Sequence, residues 1–367
     1  ADTVGIPVYL VGGMVRDLLL GRANEDVDLV VEGSGIDFAH ALAAFVDGRC
    51  HPHQPFLTAV VTLPDGHRVD VASARTEFYK TPAALPEVET SLIRQDLYRR
   101  DFTINSLAIS LHGEEYGELV DFFGGRKDLQ RGDIRVLHSL SFIDDPTRAI
   151  RAVRYSRRLD FAIAPDTRNL IATAIDEGVF DRLSGQRLRR ELEVLLAEDH
   201  PASAVELLAN LELLPAICEG LIWSEEVRAF LLEVESQLAW YELEELGPMP
   251  APWLHFLGGL ALQAGDEAAV RLAERLQLTG DLRRRVENIS AGTAEVRTAS
   301  APGLRRSARV RIVEGRDTEV ILLAMAGLDI KARRRLADAV EAAVRVTPPV
   351  SGRQIVDSGV ESGPWVG

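Results

Sequence analysis

The fragment Gly12-Gly13-Met14-Val15-Arg16-Asp17, followed shortly by Asp26-Val27-Asp28, constrains this chain more than any other feature. An apolar run, Val8-Tyr9-Leu10-Val11, delivers the glycine pair. A short helix follows, and a second apolar strand carries two carboxylates one residue apart. Alternate residues of a strand point to the same face, so Asp26 and Asp28 converge on one spot. Oxygen donors there suit a hard cation such as Mg2+, which takes one or two carboxylates and expects phosphates to complete its octahedron. The glycine pair (Gly12, Gly13) lets the backbone approach those phosphates closely. Asp-x-Asp alone is common in solvated turns; its conjunction with the strand, glycine pair and helix is not.

Two metals and an attacking hydroxyl call for a third carboxylate. Asp70, in the alternating strand Arg68-Val69-Asp70-Val71-Ala72, is the candidate, although an edge strand would also present a solvent-facing aspartate there. Next comes Arg99-Arg100-Asp101-Phe102-Thr103-Ile104-Asn105. Read as a helix, it places Asp101 and Asn105 on one face, at a spacing able to grip a ribose. Arg99 and Arg100 stand just ahead, where they can pair with a triphosphate; the plainer reading is an N-cap with surface arginines. A further helix opens at Asp144-Asp145-Pro146, with proline in its first turn. Arg148, Arg151 and Arg154 recur along it every third residue with no acid between them. As a bare solvated face they would repel one another, so an anion should lie against them.

The length of 367 residues calls for more than one domain, and the composition is that of a soluble globular protein. No apolar stretch is long enough to span a membrane. The N-terminus lacks a basic and apolar leader, and Cys50 and Cys218 have no zinc-like spacing, so a reducing cytoplasm is expected. His51-Pro52-His53 lacks a third ligand and reads as a surface turn rather than a metal pair. The net charge of -15 argues against nucleic acid until its distribution is considered. Basic clusters occur at Arg283-Arg284-Arg285, at Arg305, Arg306, Arg309 and Arg311, and at Lys331, Arg333, Arg334 and Arg335, while acid gathers around Glu225 to Glu245.

Strands are expected at 7–12, 27–32, 57–63, 67–73 and 134–138, and helices at 14–20, 36–46 and 103–110. From about 144 the pattern is helical, with helices at 145–160, 166–177, 185–197 and 201–211. The fold class is therefore α+β: a mixed-sheet head (1–140), then a helical neck (141–200), body (201–290) and tail (291–367). The missing initial Met and the abrupt end at Gly363-Pro364-Trp365-Val366-Gly367 suggest a piece of a longer protein.

In order and spacing these segments resemble the bacterial class II tRNA nucleotidyltransferases and poly(A) polymerases of the DNA polymerase beta superfamily. The likeness covers residues 7–200 closely and includes Asp121-Phe122-Phe123-Gly124-Gly125-Arg126-Lys127-Asp128-Leu129 and Gln186-Arg187-Leu188-Arg189-Arg190-Glu191-Leu192. Beyond 200 it is weaker, although Ser351-Gly352-Arg353 and Gly363-Pro364 match the family's C-terminal spelling. The resemblance implies that Asp26 and Asp28 bind catalytic Mg2+ with Asp70 as third acid. It places Gly13 and Arg16 on the nucleotide's phosphates, Asp101 and Asn105 on its sugar, and Arg151 and Arg154 beside the triphosphate. Asp145 and Arg148 would read the base. Adenine and cytosine share an exocyclic amino donor beside a ring-nitrogen acceptor, which a carboxylate and a guanidinium match. Guanine and uracil reverse the pattern and leave both charges unpaired.

The expected activity is therefore template-independent addition of AMP, CMP or both to a tRNA 3′ end, from ATP and CTP, with Mg2+ and with the tail arginines on the tRNA. The spelling from Thr76 to Glu89, expected to form a loop over the site, leans towards an A-adding member. Poly(A) polymerase is the alternative within the family, and a catalytically inactive RNA-binding protein the alternative outside it. The family usually has Glu where Asp144 stands. No His-Asp dipeptide is present, so no phosphohydrolase activity is inferred.

Overall fold

A computed structural model describes residues 5–78, 87–345, 356 and 358–359. The chain divides into two compact units, one of residues 1–199 with 203–217 and one of residues 200–202 with 218–367.

The first unit opens with β1 (Val8–Val11), α1 (Gly13–Leu19), β2 (Val27–Val31) and α2 (Gly35–Phe45). Then come β3 (Arg49–His53), β4 (Thr58–Thr62), β5 (Arg68–Ser73), the hairpin β6 (Arg75–Phe78) and β7 (Glu87–Thr90), and α3 (Ile93–Tyr98). β8 (Ala108–Ser110) and β9 (Leu119–Val120) complete a seven-stranded sheet ordered β3-β4-β5-β2-β1-β8-β9. Its neighbours are antiparallel except β2 and β5, which run parallel with Asp28 opposite Asp70. β1 and β2 are central and covered on both faces, which explains their continuous apolar spelling. Leu29, Val31, Val69 and Val71 pack with Ile36, Phe38 and Ala39 of α2, while Val30 packs with Ile93 and Leu97 of α3. Strand alternation therefore turns Asp28 and Asp70 towards the face opposite α2.

The next elements are α4 (Gly125–Arg131), β10 (Asp133–Ile134), α5 (Ser141–Asp144), α6 (Thr147–Leu159), β11 (Ala162–Ile163), α7 (Pro165–Asp176) and α8 (Gly185–Leu195). One side of α6 is buried along its length through Ala149, Ile150, Ala152 and Val153, each without exposed surface. The second unit is helical, from Glu225–Leu243 to Ile330–Arg345. Its most enclosed helix, Thr318–Ala326, is buried from Glu319 to Ala326. Buried Glu319 is held there by Arg285.

The expected elements 7–12, 27–32, 57–63 and 67–73 form within one residue, and the expected helices at 14–20, 36–46, 145–160, 166–177, 185–197 and 201–211 within two. Three readings need correction. Residues 103–110 are not a helix: a 3-10 turn at Thr103–Asn105 leads into β8, because Ala108–Ser110 is claimed as a partner by β1. The expected strand 134–138 shrinks to Asp133–Ile134 plus a single bridge from Val136 to Phe102. His51-Pro52-His53 is edge strand rather than turn; proline is tolerated because an edge needs no donor on its outer side.

Gly125 shows why the Gly124-Gly125 pair stands where it does. Asp121 caps α4, accepting from the Gly125 and Arg126 amides, and Thr103 donates to Asp128 of the same helix at 2.6 Å. This presses α4 on the 101–105 segment so closely that a Cβ on Gly125 would lie 2.2 Å from the Thr103 carbonyl oxygen. Gly125→Ala should therefore destabilise the first unit by about 1–3 kcal/mol through backbone displacement. A thermal melt unchanged from wild type would show that the contact is not tight.

Candidate active site

A cavity of about 380 Å3 opens in the first unit, lined by Gly12 and Gly13, Asp28, Glu77, the 99–101 segment with Asn105, and Asp145, Arg148, Arg151 and Tyr155. Gly12, between β1 and α1, has φ of 73° and ψ of −137°, a conformation that residues other than glycine rarely adopt. A Cβ there would lie 3.0 Å from Arg100 Nη1 and 3.6 Å from Asp28 Oδ2. The glycine thus keeps one wall of the cavity open between a cation and an anion.

Asp28 is half-buried, and its carboxyl is pushed above the usual range, chiefly by burial. Arg100 opposes the shift, while the negative charges of Asp70 and Asp26 add to it. Asp28, Arg99 and Arg100 also border a neighbouring cavity of about 280 Å3 that includes Asp70. Asp26 lies just before β2, exposed, its amide held by Asn24 at 2.8 Å. Among the described residues, no three His, Cys, Asp or Glu side chains cage an ion by themselves. Asp28 and Asp70 repel one another beside the neighbouring cavity, and such a pair of carboxylates fits a cation that arrives with its nucleotide.

Arg16 does not line the cavity. It is 3% exposed and forms a fork on Asp17, with two bonds of 2.8 Å, while Nη1 donates to Asn105 Oδ1 at 2.8 Å. Asn105 in turn donates to Asp101 Oδ1 at 3.0 Å, and Asp101 Oδ2 accepts from Arg151 Nε at 3.0 Å and Nη2 at 2.5 Å. Burial alone would raise the Asp101 carboxyl; Arg151, Asn105 and Arg148 together outweigh it and hold it below the usual range. The anion expected against the α6 arginines is therefore, for Arg151, a residue of the same chain. Arg154 sits 3.9 Å from Glu191 and 5.2 Å from the Tyr155 ring, away from the cavity lining. Tyr155 has Arg16 on it as well, at 5.4 Å.

At the start of α6, Asp145 Oδ1 accepts from the Thr147 amide (3.0 Å), the Thr147 hydroxyl (2.6 Å) and Arg187 Nη2 (2.8 Å). All three use the same oxygen, so that among the described residues Oδ2 is left for a ligand. Arg148 is buried, with Nη1 donating to Ser141 and Nη2 to the Arg99 carbonyl, both at 2.8 Å. Two of its five N–H groups are thereby used, and the guanidinium is fixed in direction.

Sequence reasoning missed Glu77, Tyr155, Asp17, Arg187 and Asp96. The last had a signal: it stands three and four residues before Arg99 and Arg100, the spacing of helical ion pairs. Of the loop expected at 76–89, residues 76–78 and 87–89 are instead paired strands of β6 and β7, and residues 79–86 lie outside the described residues, as do 351–353 and 363–364. In the second unit Arg333 pairs with Glu233 at 2.6 Å, and Arg309 and Arg335 donate to the carbonyls of Ala301 and Ser300. Arg305, Arg306, Arg311 and Arg334 remain exposed. No helix among the described residues is long and apolar enough to cross a membrane.

The raised Asp28 carboxyl has a definite linkage sign. A folded-state value above the unfolded one means that the folded chain binds the proton more tightly, so ionisation of Asp28 erodes stability as pH rises through its folded value. Asp28→Asn should raise Tm at neutral pH, and the gain should vanish once pH falls below the ordinary aspartate range. A Tm difference of the opposite sign at neutral pH would remove Asp28 as a site of unfavourable charge.

Two family models match the chain: the poly A polymerase head domain at residues 8–135, and the probable RNA and SrmB-binding site of polymerase A at residues 160–222. The A-adding tRNA nucleotidyltransferase of Geobacter sulfurreducens is 40% identical over 99% of this chain, which spans only 42% of that protein's length. A solved CCA-adding enzyme in an apo form superposes with a TM-score of 0.87 at 34% identity, covering 99% of this chain and 86% of the other. The Thermotoga maritima CCA-adding enzyme, solved with tRNA, gives a TM-score of 0.81 at 33% identity, covering 99% and 85%. With that likeness running along nearly the whole chain, the protein belongs to the tRNA nucleotidyltransferase and poly(A) polymerase family.

Proposed function

We propose that this chain adds AMP to the 3′ end of tRNA without a template, in the cytoplasm, releasing pyrophosphate from ATP. One observation carries the reading: a fixed carboxylate–guanidinium pair, Asp145 and Arg148, lines the same cavity as Asp28 and the glycine pair. The free Oδ2 of Asp145 would accept the exocyclic amino group of adenine or cytosine, and Arg148 would donate to the adjacent ring nitrogen. Because Ser141 and the Arg99 carbonyl already hold Arg148, little ordering remains for the base to impose. Asp101 and Asn105 border the space where the sugar would lie, and Arg100, Gly12 and Gly13 the space for the phosphates. The acceptor's 3′-hydroxyl would enter from the neighbouring cavity beside Asp70. Its oxygen forms the new bond to the α-phosphorus while the bond to the β-phosphate bridge breaks. Asp26, Asp28 and Asp70 would hold Mg2+, which supplies charge neutralisation for the phosphates and lowers the pKa of the attacking hydroxyl.

The A-adding assignment is supported by the name of the Geobacter sulfurreducens relative. On this reading residues 1–140 carry chemistry, 141–200 read the base, and 201–290 and 291–367 hold the tRNA through its shape and phosphates. The exposed Arg305, Arg306, Arg311 and Arg334 are the tail positions best placed for that contact. Arg309, Arg333 and Arg335, also expected there, would contribute chiefly by packing the unit.

The test is incubation of the chain with labelled ATP or CTP and tRNAs ending before C, after C or after CC. A single AMP added to tRNA ending in CC is expected. A long ladder on tRNA and on unstructured oligoribonucleotides alike would identify a poly(A) polymerase. No incorporation at all would leave an RNA-binding protein. Asp145→Ala should narrow the preference for ATP and CTP over GTP and UTP by at least about tenfold, since the mismatched bases no longer strand a buried charge. Unchanged preference in an active variant would assign base reading to other residues.

A further inference from the structure

Arg99 and Arg100 are adjacent in sequence and both border the cavity, yet their donors are committed very differently. Arg99 donates Nε to the Arg75 carbonyl at 3.1 Å, Nη1 to Glu77 at 2.6 Å, and Nη2 to Asp96 Oδ1 at 2.7 Å. It is tied on every nitrogen. Arg100 makes one side-chain bond, from Nη2 to Asp96 Oδ2 at 3.1 Å, and its buried Nε has no partner among the described residues. Its Nη1 is the atom nearest the missing Cβ of Gly12, at 3.0 Å. A guanidinium with an unsatisfied buried Nε and its Nη1 at an open glycine wall marks a place for an anion.

What connects the two arginines is Asp96, which has no exposed surface and projects from α3. Its two oxygens divide the pair: Oδ1 faces Arg99 and the Arg75 amide at 3.2 Å, and Oδ2 faces Arg100. We propose that Asp96 is a positioning residue for nucleotide binding, aiming the Arg100 guanidinium at the triphosphate while locking Arg99 as a structural brace. The assignment rests on the nucleotidyl-transfer reading and deepens it, because it gives the phosphate contact to one arginine of the pair. Asp96 touches no substrate itself. Its charge also keeps Arg100 from turning to Asp28, whose carboxylate borders the same glycine wall and whose own charge is needed for the cation.

The experiment is calorimetric binding of ATP with Mg2+ to the full chain, alongside thermal melts, for wild type, Asp96→Asn, Arg99→Gln, Arg100→Gln and the double variant Asp96→Asn/Arg100→Gln. Arg100→Gln should weaken ATP binding by at least about tenfold, the worth of a charge-assisted bond. Asp96→Asn should weaken it comparably, and the double variant should bind no more weakly than Arg100→Gln alone. Arg99→Gln should lower Tm more than Arg100→Gln does and weaken ATP less. Asp96→Asn binding ATP as wild type does, or its effect multiplying with that of Arg100→Gln, would overturn the assignment and leave Asp96 a purely structural acid. If Asp96→Asn fails to melt cooperatively, the Arg99 and Arg100 variants decide: the reverse order of affinity and Tm losses overturns the division. A wild-type chain that binds no nucleoside triphosphate overturns the nucleotidyl-transfer reading itself.

Discussion

Asp101 is almost fully buried, and two segments distant in sequence are tied to it and to its neighbour Asn105. Arg151 reaches it from α6, Asn105 from the turn that follows, and Arg16, through Asn105, from the helix after the glycine pair. A carboxylate taken out of water costs several kcal/mol unless its lone pairs are filled, and here each oxygen has its own donors. Removing one partner would strand the others, so the sheet, the 101–105 turn and α6 hold position together. Everything else in the cavity depends on that. Asp145 and Arg148 can face Asp28 across a shared space only while α6 stays where Asp101 anchors it.

The same logic sorts the arginines. A guanidinium carries five donors in a rigid fork, and what it can do for a ligand is what its protein partners leave over. Arg16 and Arg99 are spent on carboxylates and carbonyls and act as braces. Arg148 is half-committed, which fixes its direction and leaves donors for a base. Arg100 is least committed and lies nearest the open glycine wall. Positive charge around the cavity is thus graded from structural to available, and the grading follows where buried acids stand.

Legibility from the sequence varied with how local each determinant is. β1, β2, β4 and β5 were readable because short apolar runs, and in β5 apolar alternation, report directly on burial by a sheet. The turn at Thr103–Asn105 was misread because Thr103-Ile104-Asn105-Ser106-Leu107-Ala108 carries helical spacing. Asp101 accepts from the Phe102 amide at 2.8 Å, and β1 claims Ala108–Ser110 as its neighbour. β3 was missed because its Pro52 speaks against a strand, and only an edge position forgives it. Asp96 was overlooked since nothing in Gln95-Asp96-Leu97 says that the acid is buried rather than solvated.

The sequence by itself determined which chemical groups are present and roughly where the regular elements begin. Glycine pairs, alternating aspartates and an arginine-studded helix are local patterns, written in residue types and short spacings. Which of those groups face a ligand was decided only by the tertiary structure. Pairing of β2 with β5 sets Asp70 beside Asp28, and Asp101 and Asp96 claim some arginines while leaving Arg100 available. The pairing of β2 with β5 and the hold of Asp101 on Arg151 depend on contacts between residues tens of positions apart, and all of these outcomes depend on burial, which makes an unpaired charge costly enough to dictate its partner.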